Sequence, residues 1–407
     1  MTATHPGSSG FPTYTSATDA AELTGVTAPE GFRAAGVTAG LKVSGKPDLA
    51  LVVNEGPQKS AAAVFTSNRV AAAPVHWSRE VVRDGRVDAV ILNSGGANAC
   101  TGAPGFQDSH RTAEEVASLL NVSATDVVVC STGLIGERLP MSKILAGAAE
   151  AATRLDSDGG ADAARSIMTT DTVPKQAVRV GPGYTLGGMA KGAGMLAPAL
   201  ATMLVVLTTD AVLTPEQSDA ALRAATAVSF DRADSDGCMS TNDTVVLMAN
   251  GASGVTPDLE EFTELLQGLT TDLALQLLAD SEGSSHDIAV TTVNAASEAD
   301  ALEVSRAVSR SNLFKCAIFG NDPNWGRILS EVGTTKAAFE ASDLDVSVNG
   351  VMVCKGCGVG EDRSLVDLSS HREVSVLIDL KAGSEQATIW TNDLTHDYVE
   401  ENSAYSS

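Results

Sequence analysis

The chain has 407 residues, with 27 basic against 51 acidic side chains and a formal net charge of −24. Hydrophobic residues make up 43% and charged residues 19%, which excludes a disordered chain and is ample for roughly two or three domain-sized cores. So acidic a surface repels phosphate backbones and anionic headgroups, so neither nucleic-acid binding nor docking on a membrane is expected.

Met1–Glu22 is polar and rich in Thr, Ser, Gly and Ala. It has neither a basic start nor an apolar centre, so a loose tail over about the first 25 residues is expected rather than a signal peptide. Short apolar runs then alternate with Ala-rich stretches. Ala50–Val53, Ala89–Leu92, Val127–Val129, Met203–Leu207, Thr244–Met248, Ile288–Val293 and Val374–Leu380 read as strands. Thr112–Leu120, Lys143–Arg154, Pro215–Val228, Leu259–Leu278 and Ala299–Ser311 read as helices, and Thr214-Pro215 is a good helix start. Asp84-Gly85, Asp236-Gly237 and Asn349-Gly350 read as sharp corners between strands. The mixture is α/β or α+β. The longest apolar run, Leu196–Leu207, is too short to span a bilayer.

Six scattered cysteines without an export signal point to free thiols in a reducing cytoplasm. Cys354 and Cys357 have redox or zinc spacing, but no second ligand pair accompanies them, and two thiols at a turn is the better reading. The histidines show no metal spacing and no nucleotide or flavin motif appears, so neither a metal nor a tightly bound cofactor is expected.

The most informative segment is Thr185–Asp210, TLGGMAKGAGMLAPALATMLVVLTTD. A phosphate loop fails on spacing, because Gly192 rather than Ser or Thr follows Lys191. A surface loop ahead of a buried strand remains one reading. Ala201-Thr202 offers another. A Thr between small residues and a stiff apolar run can attack the preceding carbonyl, and hydrolysis of the resulting ester frees an N-terminal Thr. Its new α-amine has a pKa of about 8 and can act as base for its own hydroxyl. Upstream glycines would permit the strained backbone this requires.

KGAGMLAPALATML resembles the self-cleavage segment of the ornithine acetyltransferases of arginine biosynthesis, also called bifunctional glutamate N-acetyltransferases. NSGGANACTG at Asn93–Gly102, STGLIGERLP at Ser131–Pro140, TTDTVPK at Thr169–Lys175, DSDGCMSTND at Asp234–Asp243, NDPNWGRI at Asn321–Ile328 and ENSAYSS at Glu401–Ser407 are similar too. The resemblance implies a layered α/β sandwich with Ntn-hydrolase-like layering and different strand connectivity. It also implies self-processing into an α chain of residues 1–201 and a β chain of residues 202–407, assembled as an α2β2 heterotetramer, with a C-terminal subdomain from about residue 290.

The implied reaction passes acetyl from N2-acetylornithine to Thr202 and then to glutamate. Thr132 and Gly133 would stabilise the oxyanion, as a small polar residue and a glycine after a strand suit that task. Lys191 would hold the substrate carboxylate and Thr169 would contact the same molecule. Glu282 would meet the ornithine ammonium, and Asn402 and Ser407 would contact substrate from the C-terminus. The family usually carries Lys where His286 stands, which puts in doubt any pairing of that position with substrate or with Glu282. Asn321–Arg327 is read as structural. A self-processing aminopeptidase or amidase is the alternative, and a non-catalytic amino-acid-binding protein a third reading. Nothing in these residues decides whether acetyl-CoA is also a donor.

Overall fold

The computed structural model describes residues 11, 24–197 and 203–404. They fall into two compact units: one runs up to Asp231 and resumes at Cys238–Asp280, and the other joins Arg232–Gly237 to the chain from Ser281 onward.

The first unit contains, in chain order, β1 (Phe32–Val37), β2 (Leu49–Asn54), β3 (Ser60–Phe65), α1 (Ala73–Val81), β4 (Ala89–Ser94), α2 (Gly102–Leu120), β5 (Val127–Thr132), α3 (Met141–Thr153), α4 (Gly160–Ser166), β6 (Lys175–Gly181), β7 (Tyr184–Lys191), β8 (Leu204–Thr209), α5 (Pro215–Val228), β9 (Thr244–Ala249) and α6 (Leu259–Ala279). They build two sheets, ordered β1-β2-β4-β5 and β3-β9-β8-β7-β6. Pairing is antiparallel except for β4 with β5 and β8 with β9.

Alternation along the strands sets the layers. Ala50, Val52, Val90, Leu92 and Val128 face Met189, Leu204, Val206, Val246 and Met248 of the other sheet in one core. Leu49, Leu51, Ile91 and Val129 point the opposite way, onto Val116 of α2 and Ile144 and Ala148 of α3. Val205, Leu207 and Val245 point away from the shared core onto Leu222 of α5 and Leu266, Leu269 and Leu273 of α6. The result is a four-layer α/β/β/α sandwich. Strands covered on both faces need unbroken apolar runs, which is why those expected at Ala50–Val53, Ala89–Leu92 and Thr244–Met248 stood out in the sequence. At the start of α5, Thr214 and Gln217 form a reciprocal capping box with Pro215 in the first turn.

The second unit contains β10 (Asp287–Ala295), α7 (Glu298–Ser309), α8 (Asn312–Phe319), α9 (Trp325–Val332), β11 (Asp345–Val348), β12 (Val351–Lys355), β13 (Gly358–Val359), β14 (Glu373–Asp379), β15 (Glu385–Asn392) and α10 (His396–Ala404). Its sheet order is β13-β12-β11-β14-β10-β15, with β10 and β14 parallel. One face of β14, Val374, Val376 and Ile378, packs on Val304, Val308, Phe314 and Ile328 of the helices.

Some expectations need correction. Asn349-Gly350 does close a two-residue hairpin between β11 and β12. Asp84-Gly85 instead leads out of a helical turn into the approach to β4, and Asp236-Gly237 lies between a helical turn and β9. An Asp-Gly pair supplies a sharp turn without dictating what flanks it. The stretch TLGGMAK is not a surface loop but most of β7. Its Gly187 is needed because a Cβ there would meet the Gly25 carbonyl oxygen at 2.0 Å. Among the described residues no helix is long and apolar enough to cross a membrane.

Candidate active site

Strand β5 ends at Thr132 and β7 ends at Lys191. Both side chains are buried, at 4% and 1% exposure, and the Lys191 ammonium donates to the Thr132 hydroxyl at 3.3 Å. A hydroxyl that accepts from an ammonium keeps its own proton for another acceptor, and the neighbouring charge polarises it toward donation. The corner after β5 is built tightly. Gly95 and Gly96 N–H both donate to the Thr132 carbonyl at 2.9 Å. Gly133 takes φ +131, and a Cβ there would meet the Gly96 nitrogen at 2.4 Å. Asn93 donates to the Gly96 carbonyl and accepts from Ser131, while Asn242 donates to the carbonyls of Ala97 and Ser131 at 2.7 and 2.8 Å. The NSGGANACTG and DSDGCMSTND segments thus brace the residues of STGLIGERLP.

Asp171 ties Thr169 to Lys191. Its carboxyl accepts the Thr169 N–H at 2.9 Å and the Gly192 N–H at 2.6 Å, and pairs with the Lys175 ammonium at 2.6 Å. Lys175, fully buried, also pairs with Asp280 at 2.6 Å. Burial alone would raise the Asp171 carboxyl, but Lys191 and Lys175 outweigh it and hold the group at about 2. A depressed carboxyl stabilises the fold above its unfolded value, about 3.9, and that contribution is lost as pH falls toward the folded one. The thermal midpoint of Asp171→Asn should therefore lie below that of the unaltered chain at neutral pH, with the gap closing between about pH 4 and pH 2. A gap that does not change over that range refutes this role. Lys175→Ala, which strands two carboxylates, should cost about 3–5 kcal/mol in denaturant unfolding.

In the second unit, Asn402 on α10 donates to the Glu282 carboxylate at 2.9 Å, and the Thr395 hydroxyl donates to the Gly283 carbonyl. Glu282 and Tyr398 line a cavity of about 190 Å³ with Arg310, Lys315 and Asp393. Arg310 is committed to buried Asp234 at 2.7 Å. His286 does not pair with Glu282. It is buried, with Nδ1 2.8 Å from Asp393 and Nε2 2.9 Å from the Leu368 carbonyl, and it braces the cavity wall rather than facing a ligand.

Thr132, Gly133, Thr169 and Lys191 are thus brought together in the first unit, and Glu282 and Asn402 in the second. Ala201, Thr202 and Ser407 lie outside the described residues. Asn324, within the Asn321–Arg327 segment, caps α9 by accepting the Arg327 N–H at 3.3 Å, and Trp325 packs on the sheet. Cys354 is buried on β12 and Cys357 exposed at the next turn, both free thiols. Sequence reasoning missed Asp171 and Asp243, which stood inside quoted segments, and Lys42. Burial lowers the Lys42 ammonium to about 8, against Asp48 and Asp171 and with help from Lys191, so it belongs to the same charge cluster. GLKVSGKPD carries two lysines, Lys42 and Lys46, and nothing in the stretch sets Lys42 apart.

The layered fold thus sets a buried hydroxyl–ammonium pair beside a forced glycine corner. The match to the ArgJ family covers residues 33–407, and the chain belongs to that family. Proteins named arginine biosynthesis bifunctional protein ArgJ from Thermobifida fusca and Streptomyces coelicolor are 65% and 63% identical to it, each over 94% of this chain and 100% of their own. The solved ornithine acetyltransferase of Mycobacterium tuberculosis, in complex with ornithine, is 57% identical over 44% of this chain and 96% of its own, with a TM-score of 0.41.

Proposed function

We propose that the chain transfers the acetyl group of N2-acetylornithine to glutamate, in arginine biosynthesis, through an ester on Thr202. Membership of the ArgJ family supplies the reaction. The observation that supports the mechanism is the buried contact between Lys191 and Thr132, in which the hydroxyl accepts and so keeps its own proton to donate, as an oxyanion stabiliser must.

In this reading the chain is first cut between Ala201 and Thr202. The freed α-amine, with a pKa of about 8, takes the Thr202 hydroxyl proton as the oxygen attacks the acetyl carbonyl. Thr132 and the Gly133 backbone steady the tetrahedral oxygen. The C–N bond breaks as the α-ammonium returns that proton to the leaving nitrogen, ornithine departs as the amine, and acetyl remains on Thr202. Glutamate then attacks that ester and the hydroxyl is regenerated. Thr169 and Lys191 hold the amino-acid end of each substrate, the ammonium as a point charge for its carboxylate. Glu282 receives the ornithine ammonium, with Asn402 orienting its carboxylate and Ser407 completing the contacts. The fragments 1–201 and 202–407 assemble as α2β2 in the cytoplasm.

One pocket used twice implies ping-pong kinetics. Double-reciprocal plots at several glutamate concentrations should be parallel. Protein quenched after acetylornithine alone should carry one acetyl group on Thr202 by mass spectrometry. Intersecting lines with an unmodified fragment would refute the covalent route. The same assay with acetyl-CoA as donor decides whether this chain also makes acetylglutamate directly.

A further inference from the structure

The cavity of the second unit is lined by charges of both signs, and they are not equally committed. Arg310 is paired with buried Asp234 at 2.7 Å. Buried Asp393 accepts the N–H groups of Ser285 and His286 at 2.9 and 3.0 Å and lies 2.8 Å from His286 Nδ1. Lys315 differs from both. It stands on α8, where Ser311 caps the helix and Phe314 and Ile318 turn into the core. It is 6% exposed, and its ammonium donates to the Ser235 carbonyl, a neutral acceptor. Among the described residues that ammonium forms no ion pair, so one of its three donors is spent and its charge is not matched at close range. Burial lowers the Lys315 ammonium below its ordinary value, against the pull of Asp236, Asp234 and Asp393. A desolvated ammonium of this kind gains from an anion that enters the cavity. Glu282 lines the same cavity of about 190 Å³, with its Oε2 held by Asn402.

We propose that Lys315 receives the side-chain carboxylate of glutamate, so that one cavity takes the end of each substrate in turn, ornithine on Glu282 and glutamate on Lys315. This rests on the proposed function, in which both amino acids use one site. The two molecules carry their side-chain charge the same number of bonds from Cα but with opposite sign. A pocket holding Glu282 alone would bind ornithine and repel the acceptor, and one holding Lys315 alone would do the reverse. Two fixed groups of opposite sign let each ligand end find its counter-charge. Lys315 makes no covalent bond and moves no proton in this reading; it sets which acceptor is taken.

The test is calorimetric binding of ornithine, glutamate and glutamine, each alone, to the processed protein, since none of them reacts without an acetyl group on the enzyme. Glutamine has the shape of glutamate without its charge. The unaltered protein should bind glutamate about tenfold to 10²-fold more tightly than glutamine, the usual worth of a hydrogen bond to a charged group. Lys315→Gln, which keeps a donor for the Ser235 carbonyl, and Lys315→Met should weaken glutamate by that factor, abolish the preference over glutamine and leave ornithine as tight or tighter. Glu282→Gln should do the opposite, weakening ornithine and sparing glutamate. Circular dichroism checks that each variant is folded. Equal losses for ornithine and glutamate in folded Lys315 variants would reduce Lys315 to a structural part and overturn the proposal. So would an unaltered protein that does not prefer glutamate to glutamine, whether or not the variants fold. Either result, in a protein that still moves acetyl from acetylornithine to glutamate, leaves the proposed function standing. Absence of that transfer in the unaltered protein removes both.

Discussion

On the proposed self-cleavage, Thr202→Ala should give one full-length chain on a denaturing gel, where the unaltered protein should give two fragments of similar size, the second beginning Thr-Met-Leu. The same change lowers acetyl transfer by on the order of 10⁶, the loss that follows removal of the nucleophile from an acyl-transfer site. In the proposed mechanism both effects come from one oxygen. Before cleavage it is the only atom of residue 202 able to attack the Ala201 carbonyl, and afterwards it is the atom that carries acetyl. Thr202→Ser keeps the oxygen and should keep both activities, which separates loss of the hydroxyl from damage to the segment. Efficient cutting of Thr202→Ala at the same bond would show that another group attacks. Normal cleavage of Thr202→Ser with no transfer would confine the hydroxyl to maturation.

What the sequence made legible, and what it hid, follows from burial and register. Leu49–Asn54, Ala89–Ser94 and Thr244–Ala249 are covered on both faces, so their apolar runs announced them. The edge pair β6 and β7 was invisible. KQAVRVG carries two cations, one of them Lys175, whose charge is met by Asp171 and Asp280 rather than by water. TLGGMAK owes its glycines to close packing, which looks the same in sequence as a flexible loop. Thr132 and Lys191 were singled out by chemistry and by resemblance, yet their contact depends on where β5 and β7 end, which no spacing encodes. Asp243 was hidden for a similar reason. Twelve acidic residues in thirteen are solvated charge in any average reading of so acidic a chain, and only the parallel register of β8 and β9 shows that this one meets Met203.

Thr132→Ala separates turnover from binding at the oxyanion corner. The substitution removes a hydroxyl that accepts from Lys191 and leaves the backbone corner intact, because Gly95 and Gly96 bind the Thr132 carbonyl rather than its side chain. Loss of one oxyanion donor costs on the order of 10²–10³ in kcat, about 2.7–4 kcal/mol in the barrier. The KM for acetylornithine should move far less, since the tetrahedral oxygen exists only in the transition state and the intermediates beside it. Self-cleavage forms a tetrahedral oxygen of the same kind on Ala201, so the extent of processing is measured alongside and the rate is expressed per cleaved molecule. Gly133→Ala reaches the same corner from the backbone: its Cβ would fall 2.4 Å from the Gly96 nitrogen at a φ of +131, so the loop must shift and both processing and transfer should drop together. A near-normal kcat in fully processed Thr132→Ala would remove that hydroxyl from the reaction and leave the oxyanion to backbone donors, in which case Gly133→Ala alone should be the damaging change.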